Sequence, residues 1–362
     1  MRPKLFLHIG THKTGSTAIQ QALASTSDDL LREKIVYLTI PFEHASALMN
    51  AEAVDEDIIN KVRGVLVGGA KGCPDDFSFV LSFEGFAGSI LKGYKNVACI
   101  AESLSRITEG FDVTVAVYLR RQDEFLESAY TQMIHEGESW DMPTFLKHFD
   151  QDSFNWFQLL NSYAKAFSKD SIKVVPYCRS RLTGKSGLID SFANIVGSSV
   201  LRNYETELSP NAGFSRDAIE IARLCNPSLD QRNRKLLRAI LQRTNTKEPF
   251  ESYNYLTADE RRRIVETYSE SNAAVAEKYL ENAGAGLFPE SPVHDSTEDI
   301  YPGLTQANIG VVLNNIILTL QDQENAGKHR SKPASAFVWA ERKLAGIIGK
   351  NPRLKLLLKR II

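Results

Sequence analysis

With 362 residues, 43% hydrophobic and 24% charged, the chain has the composition of an ordinary globular protein able to bury a sizeable core. A net charge of −1 argues against a general nucleic-acid binder, and four scattered cysteines with no C-x-x-C pair argue against a disulfide scaffold or a zinc module. Met1 to Lys4 lead straight into an apolar run, leaving no room for a signal peptide, and the apolar run from 309 to 320 is broken by Asn314 and Asn315; a reduced, cytoplasmic protein without a membrane span is expected.

The first predicted strand is Leu5-Phe6-Leu7 with Ile9, too short for a helix and apolar enough for a buried strand. Gly10-Thr11-His12-Lys13-Thr14-Gly15-Ser16-Thr17 follows as a tight turn, and Ile19, Ala22, Leu23 and Leu30 then recur at helical spacing, with Ser16 or Thr17 placed to cap the helix. Residues 35–38 read as a short second strand and 45–68 as largely helical, with the glycines of 68–72 breaking the pattern. A compact strand over 77–82 (FSFVLS) ends at Glu84, and 90–105 reads as mainly helix. The strongest strand is 111–119 (FDVTVAVYL), running into Arg120-Arg121 and a helix over about 123–135.

Helix over 156–167, strand over 172–177 and helix over 187–196 complete an alternation that predicts an α/β fold with a doubly wound, mostly parallel sheet. Beyond about 205 the strand signals fade. Helices are expected near 215–225, 231–243 and 257–282, a loop over 284–303, and a helix over 304–322. In such a sheet ligands bind beyond the carboxyl ends of the strands, where Gly10, Gly15, Glu84 and Arg120 all fall.

Strand, glycine-containing loop and helix together point backbone N–H groups and a positive helix end at an anion, best a phosphate or a sulfate. The nucleotide-hydrolase loop G-x-x-x-x-G-K-[ST] matches at Gly10 and Gly15, but Ser16 stands where its lysine belongs and Lys13 lies inside the loop. Ordinary ATP hydrolysis with Mg²⁺ is therefore disfavoured, although a nucleotide-dependent kinase and a non-catalytic binding module stay open as rival classes. A second stretch, 118–130, places Arg120 at a strand end and Ser128 eight residues later on the next helix, a pair suited to clamping one phosphate; pairing of Arg120 with Asp123 or Glu124 is the alternative.

A lysine before T-G-S-T resembles the 5′-phosphosulfate loop of sulfotransferases that use 3′-phosphoadenosine 5′-phosphosulfate (PAPS), and Arg120, Ser128 and Tyr130 resemble their R-x-P-x-x-x-x-x-S-x-Y pattern, with Gln122 in place of the proline. His12 replaces the proline usual before the lysine in cytosolic members, a departure found in carbohydrate-directed and bacterial relatives. The resemblance covers roughly residues 4–200. It implies a P-loop-like α/β domain over 1–325, with a donor-binding half over about 1–200 and helices of about 205–325 shaping the acceptor cleft. It implies a PAPS site built by Thr11, His12, Lys13, Thr14, Gly15, Ser16 and Thr17, with Arg120 and Ser128 on the 3′-phosphate. Lys13 would contact the bridging oxygen, and no metal would be required. Glu84, directly after its strand, looks like the general base that carbohydrate-directed relatives carry there, with His8, His12 and His135 in reserve; His8 reads more readily as a core histidine.

The implied reaction is in-line sulfuryl transfer to a hydroxyl, less readily an amine, of a polysaccharide, oligosaccharide or glycolipid acceptor. Tyr177 and the turn at Lys185-Ser186-Gly187 are candidates for the adenosine end. Residues 326–362 form a basic amphipathic tail: from 328 on there are ten Lys/Arg against one Glu, leaving the rest of the chain near −10. Such a tail suits the inner face of a membrane, an anionic polysaccharide or a partner, and equally a closing helix packed on the domain.

Overall fold

The structure is a computed structural model that describes residues 2–178, 181–182, 187–204, 215–245, 253–281, 283–289 and 301–328. Lys185 and Ser186, and the predicted basic tail from 329 onward, lie outside the described residues.

The sheet is entirely parallel: β1 (Lys4–His8), β2 (Ile35–Leu38), β3 (Ser78–Ser82), β4 (Asp112–Leu119) and β5 (Ile172–Pro176), in the order β2-β3-β1-β4-β5. Between β1 and β2 run α1 (Ser16–Ser25) and α2 (Ser27–Arg32), and between β2 and β3 run α3 (Phe42–Asn50) and α4 (Glu56–Ala70). Two 3₁₀ turns, Glu84–Ala87 and Ile90–Lys92, and α5 (Val97–Ile107) join β3 to β4. The segment between β4 and β5 carries α6 (Gln122–Glu136), α7 (Met142–Lys147) and α8 (Trp156–Ala166). After β5 come α9 (Gly187–Val196), α10 (Ser199–Arg202), α11 (Arg216–Cys225), α12 (Gln231–Thr244), α13 (Ala258–Thr267), α14 (Ser269–Tyr279) and α15 (Gln306–Lys328).

Side chains alternate across the sheet, so each strand feeds two layers. Ile35, Val80, Ala116 and Tyr118 pack with Ile19, Ala22 and Leu23 of α1 and with Ile189, Phe192 and Ala193 of α9. Leu5, Leu7, Phe79, Leu81, Val115 and Val117, of opposite parity, are equally buried. Burial on both faces is why these strands read as continuous apolar runs rather than alternating ones.

The chain divides into two compact units, and the division falls inside α6. One unit comprises Met1–Leu126, Phe149–Leu208 and Ala258–Asp295 and contains the sheet. The other comprises Glu127–His148, Ser209–Thr257 and Ser296–Ile362 and has no strand among its described residues. In this second unit Asn226 donates to the carbonyls of Ile134 and Glu138, at 2.8 and 2.7 Å, and Glu127 accepts from the N–H groups of Tyr255 and Leu256.

Three helical stretches and one glycine break differ from the sequence pattern. The 45–68 stretch is two helices, because Asp55 caps α4 by accepting from the N–H groups of Asp57 and Ile58. The glycines at 68–69 do not end α4; a Cβ at Gly69 would come within 2.7 Å of Leu38 Cδ2, so glycine serves close packing on β2 there. The 90–105 stretch starts as a 3₁₀ turn, is broken by left-handed Gly93 and Tyr94, and becomes helix only at Val97. The 257–282 stretch divides at Tyr268, whose hydroxyl donates to the Ser153 carbonyl at 2.7 Å.

The sheet unit has one buried ionic centre just beyond β4. Asp123, fully buried, accepts from Arg121 at 2.6 Å and from Arg261 of α13 at 3.1 Å. Burial pushes its pKa up, but the hydrogen bond and charge of Arg121 and the charge of Arg261 outweigh that and hold the carboxyl below its ordinary value. Asp123→Ala is expected to cost about 3–5 kcal/mol of stability, read as a lower urea midpoint. The contribution is complete above pH about 4, the unfolded value, and is lost as the pH falls through the lower folded value.

Candidate functional site

The site grows from the carboxyl end of β1. Its register pairs His8 with Ser82 of β3 and with Ala116 of β4. The ladders run slightly further: Phe83 N–H donates to the His8 carbonyl and Ile9 N–H to the Ala116 carbonyl, both at 3.1 Å. Gly10 and Glu84 therefore leave the sheet side by side, and a Cβ placed on Gly10 would lie 3.4 Å from Glu84 Cα and only 2.6 Å from Ser16 Oγ. Glycine is required at this point, both by its positive φ of 42° and by that approach.

From Gly10 the loop turns through two further left-handed residues, Lys13 at φ 66° and Gly15 at φ 82°. Alternation of left- and right-handed conformations curls successive N–H groups into a concave anion nest. The hydroxyls of Thr11 and Thr14 hold this shape. Thr11 donates to the Tyr118 carbonyl at 2.8 Å and Thr14 to the Thr11 carbonyl at 2.6 Å, so each commits its proton to backbone. Thr14 was expected among the hydroxyl donors to the anion; here it braces the loop instead.

The helix start also differs from expectation. Gly15 is the capping residue of α1, and no side chain accepts from the first turn. Ser16 sits inside that turn, 5% exposed, with its Oγ buried and without a hydrogen-bond partner. A buried hydroxyl left unsatisfied is costly, and this one lies in the first turn of α1, beside a positive helix end. Thr17 and Lys13 are exposed.

Glu84, half-buried, receives Gln20 Nε2 at 3.1 Å, and the same amide reaches the Ser82 carbonyl at 3.4 Å. Gln20 lies one helical turn beyond Ser16, so the helix that presents the nest also orients the carboxylate. Tyr37 and Tyr94 flank it: burial raises both phenols, and the Glu84 charge raises them further. The Tyr94 hydroxyl accepts from His12 N–H at 3.0 Å and meets His12 Nδ1 at 2.7 Å. Gln20 carried a signal, its i, i+4 spacing from Ser16. Tyr94 carried none, since only its left-handed backbone and the folding of 88–97 bring it to the loop.

On the other side, a Cβ at Gly15 would strike Leu188 and lie 3.7 Å from the Tyr177 ring, and Arg120 Cζ stands 5.9 Å from that ring's centre. Arg120 is paired with Glu124 at 3.1 Å, and its carbonyl accepts Trp156 Nε1 at 2.9 Å. His8 is a core histidine: wholly buried, bonded through Nδ1 to Ser82 Oγ at 2.7 Å, and lowered by burial to about 3. Ser128, on α6, and His135 belong to the second unit, where Ser128 is buried and Tyr130 donates to Glu220 at 3.3 Å. The sheet unit thus brings together Gly10 to Thr17, Gln20, Glu84, Tyr94, Tyr177 and Arg120. No trio of His, Cys, Asp or Glu able to hold a metal is present among the described residues, and none of their helices is long and apolar enough to cross a membrane.

No family model matches the chain. An uncharacterized protein of Archaeoglobus fulgidus is 26% identical over 170 residues, 46% of this chain and 45% of that protein, so the chain spans about half the length of the relative it matches. A crystal structure of a sulfotransferase from Alicyclobacillus acidocaldarius is similar over 78% of this chain and 99% of its own, with a TM-score of 0.38 and 14% identity.

The unpartnered hydroxyl gives a test with two signs. Ser16→Ala is expected to make the free protein more stable by about 1 kcal/mol, by removing an unsatisfied buried group, and to weaken oxyanion binding about tenfold. Thermal melts with and without 3′-phosphoadenosine 5′-phosphate read both.

Proposed function

We propose that the protein is a PAPS-dependent sulfotransferase. The observation that carries this reading is the buried, unpartnered Ser16 hydroxyl at a helix start with no side-chain cap, in a glycine loop that leaves the sheet beside Glu84. An oxyanion completes such a site: it satisfies Ser16, the N–H groups of the loop and the helix end together. The donor supplies the sulfuryl group; the residues around it bind, orient and move one proton.

In this reading Ser16, Thr17 and the loop N–H groups hold the 5′-phosphate, and Lys13 stabilises the charge that builds on the bridging oxygen as the sulfur–oxygen bond breaks. Arg120 holds the 3′-phosphate, and Tyr177 lies on the adenosine side. Glu84, aligned by Gln20, takes the proton of the acceptor hydroxyl as the new oxygen–sulfur bond forms. Transfer is direct and in line, driven by positioning. The acceptor proposed is a carbohydrate hydroxyl, by analogy with relatives that use a glutamate at the Glu84 position. The basic tail is proposed as the contact for an anionic polymer or lipid surface.

Calorimetry with 3′-phosphoadenosine 5′-phosphate, with and without Mg²⁺, tests the reading. Binding in the micromolar range that is unchanged by Mg²⁺ and falls at least tenfold in Arg120→Ala, about 1.4 kcal/mol, is the expected result. Absence of binding, or a preference for MgATP, would put the kinase reading first.

A further inference from the structure

Tyr94 is buried, holds a left-handed backbone at φ 64°, and gives its hydroxyl to one residue, His12. The backbone N–H of His12 donates to that oxygen at 3.0 Å, and His12 Nδ1 stands 2.7 Å away. A phenol has one proton to give, and burial keeps it protonated at neutral pH. Were the imidazole proton on Nδ1, the phenol oxygen would face two donors while its own proton, 3% exposed as the residue is, had no acceptor among the described residues. With the phenol donating to Nδ1, the phenol proton, the phenol oxygen and Nδ1 are all satisfied, and the imidazole proton sits on Nε2.

We propose that Tyr94 is a positioning residue that fixes His12 as a neutral Nε2–H donor to the oxyanion held beside Lys13, and so removes His12 from any role as base. This rests on the sulfotransferase reading for the identity of the oxyanion, a sulfuryl or phosphate oxygen of the donor. Lys13 on its own loop and the Tyr94 hydroxyl act on His12, and Glu84, from the turn after β3, acts on Tyr94. Burial first, and the charge of Lys13 second, lower His12 to about 4, in keeping with a neutral ring throughout the working range. A neutral donor adds a hydrogen bond without a second cation next to Lys13. Proton removal is then left to Glu84.

The test uses the full chain with ¹⁵N-labelled histidine and long-range ¹H–¹⁵N spectra, the His12 signals being assigned by their loss in His12→Gln. In the wild type Nδ1 is expected to be unprotonated and Nε2 protonated, with no titration from pH 5 to 8. Tyr94→Phe, which keeps the ring and the backbone, should give mixed tautomers at an unchanged near-UV circular dichroism spectrum. A wild-type Nδ1–H tautomer, or a spectrum indifferent to Tyr94→Phe, would overturn the proposal. Calorimetry with PAPS adds the functional arm. His12→Gln, whose amide can stand in for Nε2–H, should bind within about threefold of wild type, and His12→Asn, which mimics only Nδ1, about tenfold more weakly. Equal affinities would show that no donor bond is made. If the wild type binds neither PAPS nor the spent donor, the functional reading fails, and with it the ligand named here, whereas the tautomer spectra judge the Tyr94–His12 bond on their own.

Discussion

Everything at the site depends on how three parallel strands end. β1 lies between β3 and β4, and its hydrogen-bond ladders extend beyond the strands themselves through Phe83 to His8 and Ile9 to Ala116. Parallel strands end on one edge of the sheet, so the anion loop after β1, the carboxylate after β3 and the arginine after β4 are delivered to the same place by register rather than by long-range side-chain contacts. The cost falls on Gly10, where the loop crosses Glu84 so closely that a Cβ would meet the Glu84 backbone and fill the space before Ser16.

Within that frame the polar groups divide into those already committed and those left to be satisfied. Thr11, Thr14, Gln20, Tyr94 and the His12 backbone are bonded to one another or to the sheet, and they hold the loop without a ligand. Ser16 Oγ stands apart, buried with no hydrogen-bond partner. A preformed loop loses little conformational freedom when an anion arrives, so more of the contact energy appears as affinity. The same economy of motion explains the capping of α1. Had Ser16 capped the helix with its own oxygen, as the sequence suggested, the hydroxyl and the first-turn N–H groups would have satisfied each other and left nothing for a ligand.

The strands, the loop and the order of the sheet-forming half were legible because they rest on local patterns: apolar runs bounded by glycine, and the strand–turn–helix rhythm from Lys4 to Val196. Glu84 and Arg120 were legible for a related reason, each being the first ionisable residue after a strong strand. Tyr94 was invisible because its position depends on a left-handed break at 93–94 and on packing with Phe125, Phe154 and Trp156, none of which has a local signature. The glycines at 68–69 misled in the opposite way. Glycine reads as a breaker, yet Gly69 is helical and small because Leu38 presses on it. Nor did the pattern show the division inside α6, since a helix continues its period across a boundary between compact units.

Arg120 shows why a surface reading and a binding reading of one residue need not compete. Its guanidinium pairs with Glu124 on the next turn and lies near the face of Tyr177, a quarter exposed. An ion pair at this exposure is worth no more than about 1 kcal/mol, and its second member is more exposed still. A phosphate offering two oxygens to the fork of the guanidinium makes two charge-assisted bonds and displaces little to do so. Meanwhile the pair, the ring and the Trp156 bond to the Arg120 carbonyl keep the side chain and its backbone near one geometry. On the proposed reading, the exposed Glu124 pair gives way to a doubly charged group. Arg121, by contrast, is held by the fully buried Asp123, whereas the carboxylate that pairs with Arg120 is 38% exposed.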